Sequence, residues 1–366
     1  MTVEPAPVPM SREAGMTTSL GWQVRVGTRL SRAAAIAGAG IIVVLLLLPA
    51  IASRNLIQNL IFVFTMLALA QLWNLLAGWG GLISVGQQAS VGLGAYALLA
   101  AVTSAGIDPM LAVPLAGLFA AVIAAVIGPL LFRLEGPYFA IGSWVAAEAL
   151  RLTFAQFKFL GGGTGMSLSP SDLSHMIGLK WVQALFGLRP AAGRDVLIYW
   201  MALLLAVVVT FGVYMFVRSR MGLALAASRD NAPAARSVGV RTDRIRYWLW
   251  IVVAFATGMV GAVVCLQKAR ISPDSAFSLT DWTAYVIFIV VIGGVRTIEG
   301  PIVGVLLLWG LMSHLGQFGS LYLLLLGALA IFVMLLMPRG LWGTVAHRWN
   351  LQLFPTQRRL LRRSPT

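Results

Sequence analysis

Charged residues are scarce in this sequence. Only 11% of its 366 residues are Asp, Glu, Lys or Arg, whereas soluble domains carry roughly a quarter. Hydrophobic residue types make up 59% of the chain, and its mean hydropathy is +0.87. The shortage of charge excludes an ordinary soluble domain and indicates a membrane protein.

Residues that bind metals or perform catalysis are scarce too. The single cysteine, Cys265, stands inside an apolar run, so no disulfide can form within the chain, and we interpret it as a small core residue. The three histidines, His175, His314 and His347, have no metal-ligand spacing. No Ser-His-Asp, HExxH or paired-carboxylate arrangement stands out. The sequence therefore predicts no metal, no cofactor and no covalent chemistry.

A nucleotide-binding loop is absent as well. The sequence contains no GxxxxGK[ST], and its three lysines, Lys158, Lys180 and Lys268, follow Phe, Leu and Gln. A P-loop needs its glycines to cradle phosphates and its lysine to reach them. The chain is therefore not expected to bind ATP through a P-loop or to be an enzyme.

Long apolar runs dominate what is present. Crossing the hydrocarbon of a bilayer takes about 20 predominantly apolar residues in a helix. About ten runs qualify, at 33–52, 56–77, 84–105, 109–132, 137–157, 196–217, 247–267, 281–295, 300–318 and 321–337. The predicted fold class is all-α, a polytopic transmembrane helical bundle of about ten spans within 33–345.

The basic residues are concentrated in three places. Of the 27, four lie in residues 1–32, seven in the 218–246 loop and six after Pro338. With ten spans these regions fall on one side, which an excess of Arg in short loops identifies as the cytoplasm. We therefore expect a disordered cytosolic leader (1–32), a basic cytosolic tail (346–366) and an extracytoplasmic loop (158–195). The net charge of +15 is interpreted as topology and lipid contact, not nucleic acid binding, because aromatics on a folded soluble face are missing.

The 218–246 loop reads RSRMGLALAASRDNAPAARSVGVRTDRIR. Its alanines favour helix, and Pro233 follows Asp230-Asn231-Ala232, where proline can start a second helix after a first has ended. A compact double helix in the cytosolic loop of a membrane protein indicates a surface presented to a partner.

A glycine cluster interrupts the apolar pattern at Gly78-Trp79-Gly80-Gly81, just before a helix opens at Ser84-Val85-Gly86-Gln87-Gln88. The cluster predicts a broken helix near 78–84. Polar groups at this depth should face protein or water rather than lipid, and four belong here: Ser84, Gln87, Gln88 and Ser90. Two interpretations stay open, because these side chains either line a pathway or form interhelical hydrogen bonds that only hold the bundle.

Three shorter patterns predict local contacts. Small residues at a spacing of four predict close helix packing, at Gly86, Ser90 and Gly94 and at Ala254, Gly258 and Ala262. Glu148 and Arg151, at i and i+3, are expected to pair. The glycines at 161–163 and 165 predict either a flexible outer loop or an amide-lined nest used in docking or gating.

Five segments, in order, resemble patterns of one known family. They are NLLAGWGGLISVGQQASVGLGAYALL (74–99), EGPYFAIGSWVAAEALRL (135–152), RMGLALAASRDNAPAARSVGV (220–240), KARISPDSAFSLTDWTAYVIFIVVIGGVRTIEGPIVGVLLL (268–308) and LMPRGLWG (336–343). The resemblance as a whole runs from about residue 40 to 345. On these motifs the chain resembles the LivM/LivH family, the branched-chain amino acid permeases of ABC importers.

The resemblance implies a function and a set of partners. It implies a permease subunit of a bacterial inner-membrane importer for branched-chain or other hydrophobic amino acids. A second permease subunit (LivH-like) would share the translocation path, two cytosolic ATPases (LivG/LivF-like) would use the ATP, and an extracytoplasmic substrate-binding protein would deliver substrate. The expected pathway residues are Ser84, Gln87, Gln88, Ser90 and Tyr138.

The same resemblance makes the 218–246 loop the coupling segment. Ala234-Ala235-x3-Gly239 fits the family's EAA-x3-G pattern, with Pro233 in place of the glutamate. Small residues would let a short helix enter a cleft of the ATPase, and Gly239 would let the chain leave it. Arg229 and Arg236, seven apart, are expected on one face, available to partner carboxylates. The expected coupling residues are Gly222, Arg229, Asp230, Ala234, Ala235, Arg236 and Gly239.

Departures from the family pattern leave the substrate open. Gln87-Gln88 replaces a Gly-His type pair, and SVG (90–92) replaces FFG. Urea, amides, and aromatic or other carboxylates therefore stay open as substrates. An ion-coupled secondary carrier would need membrane carboxylates and often has an inverted repeat, but Glu148 is the one weak candidate and no clear repeat is visible.

Overall fold

The structure of the chain, a computed structural model, describes residues 22–25, 29–174, 176–237, 239–349, 353–354 and 359–362. Most of the predicted leader (1–32), part of the predicted tail (346–366) and His175 lie outside these residues. The first helix begins at Arg29, ahead of the predicted start at residue 33.

Helices make up almost all of the described chain, which confirms the all-α fold class. They are α1 (Arg29–Leu47), α2 (Arg54–Asn74), α3 (Gln87–Ala105), α4 (Pro109–Leu131), α5 (Pro137–Gln156), α6 (Pro170–Ser174), α7 (Leu179–Phe186), α8 (Pro190–Arg218), α9 (Arg220–Asp230), α10 (Ala232–Ser237), α11 (Thr242–Lys268), α12 (Pro273–Ala276), α13 (Tyr285–Gly293), α14 (Glu299–Leu315), α15 (Ser320–Leu336) and α16 (Gly340–Trp349). Two π-helical turns, Leu75–Trp79 and Thr280–Ala284, extend α2 and precede α13.

Four short strands form two antiparallel pairs. They are β1 (Trp22–Arg25), β2 (Met166–Ser167), β3 (Arg270–Ile271) and β4 (Arg359–Arg362), with β1 paired to β4 and β2 paired to β3.

Nine helical segments of the described residues are long and apolar enough to cross a bilayer, against about ten predicted. They are Ser31–Ala50, Arg54–Trp79, Gln87–Ala105, Pro109–Leu131, Pro190–Arg218, Thr242–Lys268, Pro273–Gly293, Glu299–Phe318 and Leu321–Trp349. The difference falls on the run predicted at 137–157. This run forms α5, which is long enough but less apolar because it contains Glu148 and Arg151.

Helix α5 nonetheless runs between the two ends of the bundle. Near its start, Phe139 packs edge-on against Trp250, with ring centroids 5.9 Å apart. Toward its other end, Arg151 pairs with Asp274, beyond the last residue of α11. We call the end that carries α9 and α10 the arginine-rich end, and the end that carries residues 158–189 the opposite end.

The first and the last long helices of the bundle, α1 and α15, place the start of α1 and the end of α15 at the arginine-rich end. Helix α1 finishes at the opposite end, where the Leu45 carbonyl oxygen accepts from the Tyr199 hydroxyl near the start of α8 (2.7 Å). At the arginine-rich end, Gly340 follows α15, and a Cβ atom there would lie 2.5 Å from the Gly294 Cα. The start of α1 and the end of α15 therefore lie on the same side as α9 and α10.

The centre of the bundle is built from α2, α3 and α11. In the span that contains α2, 78% of the most apolar stretch is buried, compared with 6% in the span that contains α1. Helices α3 and α11 meet at glycines, since a Cβ atom on Gly94 would lie 1.9 Å from the Gly258 carbonyl oxygen. A Cβ atom on Gly261 would lie 2.0 Å from the Val91 carbonyl oxygen. These approaches confirm the close packing that the small residues predicted.

Two glycines of the 158–195 segment, Gly161 and Gly165, allow close backbone packing. Gly161 and Gly165 have φ of 87° and 78°, which L side chains rarely adopt. A Cβ atom on Gly165 would lie 2.1 Å from the Ile271 carbonyl oxygen, where β2 pairs with β3. The glycines thus let this segment lie directly on the chain that follows α11.

Ion pairs at the opposite end form both between helices and within a helix. Arg54 Nε lies 2.6 Å from Asp195 Oδ2, and Asp195 is 6% exposed, so this pair joins the starts of α2 and α8. The predicted pair of Glu148 and Arg151 is confirmed, with 2.6 Å between Oε1 and Nη2.

Candidate functional site

The predicted broken helix is confirmed and lies in the central layer. Helix α2 ends at Asn74, the turn Leu75–Trp79 is π-helical, and residues 80–86 are not helical. Gly86 precedes α3, and a Cβ atom there would lie 2.1 Å from the Ser143 carbonyl oxygen of α5. Glycine is needed at such a close backbone approach. The break therefore places an irregular segment against protein, the setting in which membrane interiors tolerate one.

A small cavity lies beside the break, between α2, α3 and α11. Its volume of about 20 Å³ is room for about one water molecule. Its lining residues are Trp73, Leu76, Ser84, Gly86, Gln87, Ser90, Trp250, Val253, Ala254 and Thr257. Three of the predicted pathway residues, Ser84, Gln87 and Ser90, therefore share one cavity.

Gln87 is 7% exposed and only part of its amide is paired. Its Nε2 donates to the Leu69 carbonyl oxygen of α2 (3.0 Å), whereas no partner for its Oε1 is found among the described residues. Thr257 of α11 is 1% exposed and lines the same cavity, and its Oγ1 is likewise unpaired within this part of the chain. Since buried polar atoms are nearly always paired, two such oxygens on one cavity require an explanation.

Gln88 has a different environment. Its backbone N–H donates to Thr283 Oγ1 (3.3 Å), and the Thr283 hydroxyl donates to Gln88 Oε1. Both residues are buried, and Thr283 belongs to the π-helical turn before α13. Gln88 therefore joins two parts of the bundle and does not line the cavity, as the interhelical interpretation expects.

Tyr138 lies apart from the other predicted pathway residues. It is 70% exposed in the first turn of α5 and is not among the residues that line the cavity.

The cavity is too small for an amino acid in this conformation. Pockets that bind small molecules enclose about 300–1,000 Å³, far above the volume found here. Passage of any larger solute at this point would require the cavity to widen. Two of its walls, α3 and α11, are in close contact at Gly94 and Gly261.

The predicted double helix of the 218–246 loop is confirmed. Helix α9 ends at Asp230, and Asn231 leaves helical geometry with φ −154° and ψ 95°. Asn231 Oδ1 then accepts from the Ala234 N–H (3.1 Å), which caps the start of α10. At the start of α9, Ser219 Oγ accepts from the Gly222 N–H (3.3 Å). Each short helix thus has its own cap.

Arg229 is directed at the membrane bundle. Its Nη1 donates to the Gly78 carbonyl oxygen (3.0 Å), which belongs to the π-helical turn of the broken helix. Arg236 instead pairs with Asp243 at the start of α11 (3.5 Å), and both of these side chains are exposed. The expectation that Arg229 and Arg236 lie on one helix face is wrong, because the helix breaks between them at Asn231.

The other predicted coupling residues differ in exposure. Ala234 is exposed, whereas Ala235 is buried. Gly239 has open space around it and φ of 84°, so its backbone conformation, not lack of room, favours glycine. Gly222 is buried where a Cβ atom would lie 2.4 Å from a carbonyl oxygen of α8. The side chain of Asp230 lies outside the described residues.

Two buried amides that the sequence analysis did not single out hold the turn between α13 and α14. Asn74 Oδ1 accepts from the Arg296 N–H (2.9 Å), and its Nδ2 donates to the Thr297 carbonyl oxygen (2.8 Å). Gln71 Nε2 donates to the Ile298 carbonyl oxygen (2.7 Å). The available signal was an amide inside an apolar span, since such groups face protein rather than lipid.

No metal-binding cluster was found where the structure describes the chain. No three His, Cys, Asp or Glu side chains come together there, and Cys265 is buried and free.

Comparison with known proteins identifies a family model and two relatives. Residues 55–334 match the family described as branched-chain amino acid transport system / permease component. The chain is 28% identical over 281 residues to the high-affinity branched-chain amino acid transport system permease protein LivM of Escherichia coli (strain K12), and equally to the protein of that name from Salmonella typhimurium. Each alignment covers 73% of this chain and 65% of the relative, so the chain spans less than two thirds of the relatives' length. Among solved structures there is no significant match.

Proposed function

Because the chain belongs to the family of branched-chain amino acid transport system permease components, we propose that it is the permease subunit of an ATP-driven importer. The proposed substrates are branched-chain or other hydrophobic amino acids. The chain is a multi-pass membrane protein by its family and its apolar helices. Within the importer its role is non-catalytic, since ATP hydrolysis belongs to other subunits.

The proposed assembly contains three kinds of partner. A second permease subunit shares the translocation path, two cytosolic ATPases drive it, and an extracytoplasmic substrate-binding protein delivers substrate. The small volume of the cavity supports a path completed by another subunit or by opening of this one, because this chain alone encloses no room for an amino acid there.

One observation carries the proposal, the hydrogen bond from Arg229 to Gly78. It joins the short helix α9 to the π-helical turn, and the chain continues from that turn directly into the segment that lines the cavity. A displacement of α9 by a partner would therefore act on the broken helix through one side chain. This contact supports a role of α9 and α10 in coupling an external energy source to the pathway.

The proposed location is a bacterial inner membrane with the arginine-rich end in the cytoplasm. The grouping of Arg-rich segments at one end supports it. Cysteines introduced at Ser237 and Ser174, both exposed, test it in a Cys265→Ala background. We expect an impermeant thiol reagent to label only the cysteine at position 174 in intact cells. Labelling at position 237 alone would contradict the orientation.

Docking of an ATPase on α10 is tested by one change in this helix and one in the turn that follows it. Arg236→Glu reverses an exposed charge, and Gly239→Leu strains a turn with φ of 84°. An opposed charge pair turned into a like pair commonly costs several kcal/mol at an interface, so we expect both variants to release the copurifying ATPase. Lys180→Glu, an exposed charge reversal at the opposite end, should retain it. Copurification at the wild-type ratio with undiminished transport in both Arg236→Glu and Gly239→Leu would contradict the proposal.

A further inference from the structure

Each side-chain nitrogen that lines the cavity beside the broken helix donates a hydrogen bond to the backbone. Trp73 Nε1 donates to the Ser84 carbonyl oxygen (2.8 Å), and Trp250 Nε1 donates to the Ala124 carbonyl oxygen (3.1 Å). Gln87 Nε2 donates to the Leu69 carbonyl oxygen, as described above. Each nitrogen on the lining side chains is therefore bonded to backbone.

Two buried oxygen atoms without a protein partner among the described residues are available to a solute, beside the hydroxyls of Ser84 and Ser90, which line the same cavity. Gln87 Oε1 can only accept a hydrogen bond, and the Thr257 hydroxyl can accept as well as donate. Both are buried and both lack a protein partner within the described chain. No charged side chain is among the lining residues that the structure describes. A carboxylate oxygen cannot bond to the amide oxygen of Gln87, because both are acceptors, whereas an N–H group would satisfy both the amide oxygen and the hydroxyl.

We propose that Gln87 and Thr257 form a hydrogen-bonding site for the N–H end of the substrate, the α-ammonium group of an amino acid. This inference rests on the proposed function and deepens it. Solutes with N–H donors, such as amino acids, amides and urea, are favoured over plain carboxylates. Leu76 and Val253 supply apolar surface on the same cavity for an aliphatic side chain.

The position of the two residues fits use during opening of the path. Gln87 lies in the first turn of α3 and Thr257 lies in α11, the two helices that close on each other through glycines. When these helices part, one oxygen stays on each wall. The water-sized cavity of the closed conformation is then what remains of a larger site when the two helices are together.

Substitution of Thr257 separates a ligand site from a packing contact. Thr257→Val removes the hydroxyl and keeps the shape of the side chain. In the importer reconstituted with its partner subunits, we expect ATP-driven uptake of L-leucine to fall about tenfold, the effect of one lost hydrogen bond to a charged group. The melting temperature should stay level or rise, because an unpaired buried hydroxyl has been removed. Thr257→Ser should retain uptake.

Thr210→Val is the matched control. Thr210 of α8 also has a hydroxyl without a partner among the described residues, but it does not line this cavity. Uptake should be unchanged in this variant. Wild-type uptake in Thr257→Val, or an equal loss in Thr210→Val, would overturn the inference.

The ligand class is tested on the purified complex without binding protein. L-Leucinamide has the ammonium group and no carboxylate, and 4-methylpentanoate has the carboxylate and no N–H. We expect millimolar L-leucinamide to raise the melting temperature of the wild type but not of Thr257→Val, and 4-methylpentanoate to raise neither. No shift with L-leucinamide, or a Thr257-dependent shift with 4-methylpentanoate, would overturn the inference. A wild-type complex without ATP-driven uptake would instead contradict the proposed function, and the ligand shifts would still decide this site.

Discussion

Gln87 and Gln88 are neighbours in the sequence and opposites in the structure. Gln88 exchanges hydrogen bonds with Thr283 and joins α3 to the turn before α13. Gln87 turns toward a cavity, where its Oε1 and the Thr257 hydroxyl lack partners in the described structure. Residue type therefore does not separate these two amides, but their surroundings do. Within the described residues, Gln87 lines a cavity together with a second unpaired oxygen, whereas Gln88 is bonded across to Thr283 and lines no part of that cavity.

Disrupting the packing of α3 against α11 should have the largest effect on the amount of folded protein. Both glutamines lie in α3, which packs closely against α11, where a Cβ atom on Gly261 would lie 2.0 Å from the Val91 carbonyl oxygen. Gly261→Leu should cost about 3 kcal/mol or more through overpacking and deplete folded protein in the membrane. The yield of monodisperse protein measures this. Gly310→Leu, at a position with open space, is the control and should give the wild-type yield. A wild-type yield from Gly261→Leu would refute the packing argument.

A change at Thr283 tests whether the Gln88–Thr283 contact is structural. Thr283→Val leaves the Gln88 amide oxygen and N–H without their partner, which should cost about 1–3 kcal/mol of stability. The melting temperature should fall, and uptake per folded complex should stay at the wild-type level. If instead uptake fell and the melting temperature did not, Gln88 would belong to the pathway, and the structural role assigned to it would be wrong.

A smaller loss of stability is expected at the link between α9 and the cavity. Arg229→Met removes one partly exposed hydrogen bond to Gly78, so the free energy of unfolding should change by less than about 1 kcal/mol. We expect the ATPase to remain bound and to hydrolyse ATP, while uptake per ATP falls. Arg229→Lys should restore part of the uptake, because lysine also donates to a carbonyl oxygen.

Arg244→Met provides the control for that change, since Arg244 is exposed in the first turn of α11 and no contact of it with the broken helix is observed. Release of the ATPase by Arg229→Met would mean that Arg229 belongs to the docking surface. Unchanged uptake per ATP would remove Arg229 from the coupling route.

Features set by local sequence could be predicted. The glycines at 78–81 predicted the broken helix, and Pro233 with its preceding turn residues predicted the start of α10, because backbone freedom and capping act within a few residues. Apolar run length predicted all nine spans that the structure describes. The run at 137–157 is less apolar than the nine spans because it contains the charged pair Glu148 and Arg151.

Pairings across the fold could not be predicted. Gln88 and Thr283 are 195 residues apart, and Arg229 and Gly78 are 151 apart, so no local pattern brings them together. Helical spacing placed Arg229 and Arg236 on one face, and the break at Asn231 overrode it. Thr257 was missed because one hydroxyl in a long apolar helix usually bonds its own backbone, and only the structure reveals that this one is unpaired.

The different roles of the two glutamines are tested most directly by comparing Gln87→Leu with Gln88→Leu in one assay of uptake per folded complex. We predict that Gln87→Leu lowers L-leucine uptake about tenfold with a small decrease in melting temperature. Gln88→Leu should lower the melting temperature more and leave uptake per folded complex near the wild-type value. Equal changes of uptake and melting temperature in the two variants, or a loss of uptake confined to Gln88→Leu, would contradict a ligand-binding Gln87 beside a structural Gln88.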